Sequence, residues 1–176
     1  MASLTDRMMR AAKLDVSLYE EVEADEGAMG QAMTAVVLSS VAAGIGTFTL
    51  GGIGGVISGV IGALLGWFVW SFLIYLIGTK MLPEPQTSSS YGELLRTLGF
   101  ASSPGVMRVL GIIPLLGGLF LLAAAIWMLI STVIAVRQAL DYQSTLRAVG
   151  VCLIGWIVMG IVMAIFLAPF VAKEVA

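Results

Sequence analysis

The chain has 176 residues, of which 59% are hydrophobic and 11% charged, with a mean hydropathy of +1.02. An ordinary soluble domain carries about 25% charged residues, so lipid must solvate much of this chain. A net charge of −2, no histidine and one cysteine, Cys152, exclude attraction to nucleic acid, intrachain disulfides and the usual ligand sets of zinc, haem and iron–sulfur clusters.

Met1 to Gly30 mixes three basic with seven acidic residues and lacks the uninterrupted apolar run of a signal peptide. Within it Leu4, Met8, Ala11, Leu14, Leu18 and Val22 recur at helical spacing, while Asp15 falls on the apolar face and predicts a break. Ser17-Leu18-Tyr19-Glu20 fits a capping box with Ser17 as N-cap, followed by Glu21 and Glu23 where a helix dipole favours acids. Residues 1–30 thus read as two short amphipathic helices meeting near Asp15. They lie on the membrane surface, or else form a solvated leader.

Residues 31–176 read as a transmembrane helical bundle. Ala32 to Leu50 and Ile53 to Ile77 carry no charge and are joined at Gly51-Gly52. At about 1.5 Å per residue each can cross a hydrocarbon core of roughly 30 Å. Lys80 is placed to reach the headgroups, and Leu82 to Ser90 is a polar, proline-bearing loop. Leu94 to Ile113 holds Arg96, Pro104 and Arg108, which fits a kinked third span or a broken hairpin. Leu115 to Val136 and Val149 to Phe170 are again of spanning length, separated by a polar loop with Asp141 four residues after Arg137, a spacing at which the two would pair on a continuing helix.

Basic residues arbitrate the span count. With five spans and the N-terminus inside, Arg7, Arg10, Lys13, Lys80, Arg96, Arg137 and Arg147 fall inside and only Lys173 outside, with Arg108 within a span. Four spans would move Arg137 and Arg147 outside. The predicted architecture is therefore an all-α bundle of about five membrane helices, C-terminus outside, behind an amphipathic N-terminal segment.

Gly51, Gly55 and Gly59, continued by Gly62 and Gly66, make a row of small residues suited to close helix packing. Packing inside the chain is the reading preferred for it, with a self-association face as the alternative. Arg108 is the charge to watch, since a cation inside a span is costly and marks function by default. Asp141, Glu93 or a carbonyl freed near Pro104 would partner it, unless it snorkels outward. Ser102 and Ser103 stand where they can satisfy carbonyls that Pro104 leaves unpaired. The four tryptophans lie away from the span ends and read as packing residues. No base, paired acid or nucleophile assembles, so no enzyme, cofactor or metal is expected.

Gly99-Phe100-Ala101-Ser102-Ser103-Pro104 resembles the Gly-Tyr-x-x-x-Pro pattern of the YIP (Ypt-interacting protein) membrane family, with Phe100 where the aromatic is usually Tyr. The order of an amphipathic segment, two close spans, a polar loop, this motif and two final spans is similar too. Ala11 to Asp25 and Arg96 to Pro114 look especially like bacterial members. The resemblance implies a five-span bundle with a cytosolic N-terminus. Eukaryotic members are associated with Rab-type GTPases and vesicle traffic, through a long N-terminal region that has no counterpart in these 30 residues. The expected function is a non-enzymatic membrane scaffold, organiser or adaptor in a bacterial inner membrane. Its partners would be membrane lipids, a second copy or another membrane protein. The alternative is a small channel or transporter with a polar path near Pro104 and Arg108.

Overall fold

The computed structural model describes residues 2–175, with side chains throughout that range except at 49–51 and 166–175. Gly51, Lys173 and the end of the fifth predicted span at Phe170 thus lie outside the residues whose side chains are described. The helices run in the order α1 (Leu4–Ala12), α2 (Val16–Ala24), α3 (Met29–Gly46), α4 (Phe48–Leu76), α5 (Tyr91–Ala101), α6 (Gly117–Ala139) and α7 (Thr145–Val175). Short 3-10 turns at Glu26–Ala28 and a π-turn at Ile77–Met81 extend α3 and α4. A longer 3-10 segment, Ser103–Ile112, continues α5.

Four stretches are long and apolar enough to cross a membrane: Glu26–Gly46, Gly52–Met81, Gly117–Ala139 and Thr145–Ile165. The chain is an all-α, multi-pass membrane protein. These stretches match the first, second, fourth and fifth predicted spans within a few residues. The connection between the first two runs from Thr47, which ends α3, to Gly52, where helical geometry breaks at a φ of 55° and ψ of −158° that suit only glycine, so it starts earlier than predicted but includes the predicted Gly52.

The predicted third span is a broken helix. Pro104 has no N–H to continue α5, and the chain tightens into the 3-10 segment after Ser102. The Ser102 hydroxyl donates to the Gly99 carbonyl at 2.6 Å, satisfying one acceptor at the break, whereas the buried Ser103 hydroxyl finds no partner. This segment travels beside α3 in the same direction: Gly99 lies against Ala32, Gly105 against Ser39, and Gly111 against Gly46. From Ala32 to Gly46, α3 rises about 21 Å. Glycine is required at these crossings. A Cβ on Gly46 would stand 1.9 Å from the Arg108 carbonyl oxygen, and one on Gly99 2.8 Å from the Ala32 Cβ.

Burial follows the bilayer's logic. Leu18, Tyr19, Val22, Leu94, Phe100, Val136 and Leu140 fill the protein core, while Ile53, Ile57, Ile61 and Leu65 of α4 and Ile157, Ile161 and Ile165 of α7 are exposed. Large aliphatic side chains on a charge-free outer face fit hydrocarbon rather than water.

Candidate functional site

The N-terminal segment is bound to the bundle. Asp15 caps α2 by accepting from the Ser17 amide at 3.0 Å, so the cap lies two residues before the predicted Ser17. The capping box forms instead at Ser90 and Glu93, where the Ser-x-x-Glu spacing was equally present in the sequence. Between α1 and α2 the chain turns through Leu14 at a φ of 60°. Arg7, only 3% exposed, donates to Glu21 at 2.9 Å, Asp25 at 2.6 Å and Gln31 at 3.1 Å. Arg10 joins Asp15 at 2.8 Å and Glu21 at 2.5 Å. Hydrogen bonds from Arg10, then Arg7, hold the Glu21 carboxyl below the usual carboxylate range; Arg10 does the same for Asp15 and Arg7 for Asp25.

Three bonds tie this clasp to α6. Tyr19 and Ser131 share a hydrogen bond of 2.7 Å, the Trp127 indole donates to the Ala12 carbonyl at 2.8 Å, and the Gln138 amide reaches Glu20 at 3.0 Å. Leu18, Tyr19 and Val22 therefore face protein, and the apolar stripe read as membrane-facing is mostly core. Met9 and Val16 remain exposed.

Arg96 is buried and serves α2. Its Nε donates to the Val22 carbonyl at 2.8 Å and its Nη2 to that of Glu23, satisfying acceptors that every helix end leaves open. Arg137 and Asp141 do not pair. The helix stops at Ala139, Asp141 turns at a φ of 54°, and Arg137 donates instead to the carbonyls of Tyr142 and Gln143 at 3.2 and 3.3 Å. Asp141 lines a cleft of about 750 Å³ with Glu20, Glu23, Glu93 and Arg137. Burial, then the charges of Asp141 and Glu93, push the Glu23 carboxyl up to about 7. Among the described residues, no group of three or more acids and cysteines is arranged to hold a metal ion.

The motif residues gather at the break of the third segment. Gly99 receives α3, Phe100 is fully buried, and Pro104 opens the 3-10 segment. One turn later Arg108 turns back toward α3. Its Nε donates to the Gly105 carbonyl at 3.1 Å, and its Nη2 to the carbonyl and hydroxyl of Ser39 at 3.0 and 2.7 Å. A carbonyl near Pro104 was among the expected partners, although Gly105 follows the proline and is not an acceptor that its missing N–H frees. Ser39 was not among them, since a serine within an apolar run gives no sign of its partner. Asp141 and Glu93 are not bonded to Arg108, nor does it snorkel away.

The glycine row does not do what the preferred reading assigns to it. A Cβ on Gly55, Gly59, Gly62 or Gly66 would meet nothing within 4 Å, so these residues seat no other helix of this chain. Close packing is done by Gly46, Gly78, Gly99, Gly105 and Gly155, the last receiving Trp70. Gly55, Gly59 and Gly66 instead border cavities beside Arg108.

No curated protein and no solved structure matches the chain. The Yip1 domain profile matches residues 19–167, from the buried tyrosine of α2 through the Pro104 break and into α7. That match covers most of the sequence, and the chain belongs to the Yip1 domain family.

Proposed function

We propose that the protein is a non-enzymatic membrane scaffold or adaptor, seated in a bacterial inner membrane with its N-terminus cytoplasmic and its C-terminus outside. The observation that carries the reading is the N-terminal clasp. Two helices are held to the bundle by Arg7, Tyr19 and Arg96, yet they keep Met9 and Val16 turned outward. A rigid platform with exposed apolar residues at the edge of a bundle suits contact with lipid or with another protein. The direction of the third segment, parallel to α3, supports a fifth crossing, and with it an orientation that keeps most basic residues on one side.

Crosslinking in native membranes, followed by affinity purification and mass spectrometry, tests this. A scaffold gives a product of fixed stoichiometry, with itself or a partner, that weakens when Met9 and Val16 become serine. Products that merely track the abundance of neighbouring proteins would sink the reading.

A channel or transporter is the second reading, and the cavities flanking Arg108 favour it. Permeability of proteoliposomes to halide and phosphate, compared between the wild type and Arg108→Ala, decides. Equal permeability to that of protein-free vesicles removes it.

A further inference from the structure

We propose that Arg108 is the centre of an anion-binding site, open to the bilayer, for a phosphate-type group such as a lipid headgroup carries. The guanidinium is half-buried in the bundle, against Ser39 of α3 and near Met128 of α6. A cation within a membrane segment is expensive unless it is paired. Among the described residues no carboxylate lies within ion-pair distance of it, and its Nη1 has no hydrogen-bond partner.

Two cavities meet at this side chain. One, of about 290 Å³, is lined by Ser39, Trp67, Trp70 and Thr132; the other, of about 400 Å³, by Thr47, Gly55 and Gly59. Arg108, Ser40 and Ala63 border both, and neither is lined by an acid. The Ser40, Thr47 and Ser102 hydroxyls are spent on carbonyls of their own helices. Thr132 and the Trp70 indole make no hydrogen bond among the described residues. A cationic cavity with unspent donors and no carboxylate selects an anion.

The glycines explain access. Gly55 and Gly59 are exposed on the lipid-facing surface of α4 and form part of the rim. Without side chains there, the head of an amphipathic anion can reach Arg108 while its tail stays among the lipids. The inference holds whether the protein scaffolds or conducts.

Trp67 and Trp70 line the cavity and report on it. In a Trp127→Phe/Trp156→Phe background, their emission is measured in phosphatidylcholine nanodiscs doped with brominated phosphatidylglycerol or, equally, brominated phosphatidylcholine. Stronger quenching by the anionic lipid is expected, with the excess lost in Arg108→Gln and kept in Arg108→Lys. A second arm titrates inorganic phosphate into unbrominated nanodiscs. An Arg108-dependent change there, without the lipid excess, assigns the same site to a soluble anion. Should Arg108→Gln fail to fold, Gly59→Leu obstructs the glycine-lined cavity through which a headgroup reaches Arg108, leaves Arg108 in place and must abolish the excess. Equal quenching by both lipids with no response to phosphate, or an excess that survives both variants, overturns the proposal.

Discussion

The hydroxyl of Tyr19 in α2 and that of Ser131 in α6 stand 2.7 Å apart, both residues fully buried, across 112 positions of sequence. Each is the other's partner where bulk solvent does not reach, so removing one strands the other. Tyr19→Phe should cost about 1–2 kcal/mol. Tyr19→Phe combined with Ser131→Ala should cost less than the sum of the two single changes. Thermal unfolding in detergent, read alongside protease release of residues 1–24, measures both.

The N-terminal clasp should weaken as pH rises from about 4.3 toward 7. Glu23 is held near 7 when folded, against about 4.3 when unfolded. Because the folded value is the higher one, its contribution is fully present below about 4.3 and is lost as pH rises through 7. Glu23→Gln should therefore stabilise docking at pH 8 by about 1 kcal/mol, after allowance for water in the open cleft, and flatten the decline between about pH 4.3 and 7. Amide exchange in α2 between pH 5 and 8 gives the curve; an unchanged slope in the variant refutes it.

Acid should open the same clasp by the opposite route. Asp15, Glu21 and Asp25 have folded values below their unfolded ones, so their contribution is present at neutral pH and lost as pH falls below about 4. Arg7→Gln removes two of these pairings and should bring faster cleavage after Arg10 and Lys13 at pH 7, with a smaller further loss on acidification than in the wild type, because the Arg10 pairs with Asp15 and Glu21 remain. An acid profile unchanged from the wild type would contradict this.

Glycine positions should separate into two classes. Gly99→Val drives a side chain into Ala32 and should destabilise by about 1–3 kcal/mol. Gly62→Ala meets open space on a helix and should be neutral, or stabilising by up to about 1 kcal/mol. Melting temperatures of the two variants test the contrast, and similar losses would mean that the α4 row is packed after all.

The charge-free runs made four crossings legible, and Pro104 with its serines marked the break, because hydrocarbon tolerates neither charge nor unpaired backbone. The fate of Leu18 and Val22 was not legible. Lipid and protein interior are equally apolar, so a helical stripe looks the same facing either. Arg108's use of Ser39, and Arg96's use of the carbonyls of α2, were hidden because backbone acceptors leave no trace in a sequence. The glycine row misled for a related reason: small residues permit contact, and equally permit a void.

The bonds of Arg96 to the end of α2 set a timetable for biogenesis. Residues 16–24 leave the ribosome early, but their closing carbonyls wait for an arginine more than seventy positions later, and Tyr19 waits longer still for Ser131. The clasp that begins the chain thus completes its docking only after α5 and α6 have been made. Until α6 inserts, its acids and apolar stripe stay accessible to chaperone, insertase or protease, and a nascent chain halted after the second crossing should present that segment unshielded.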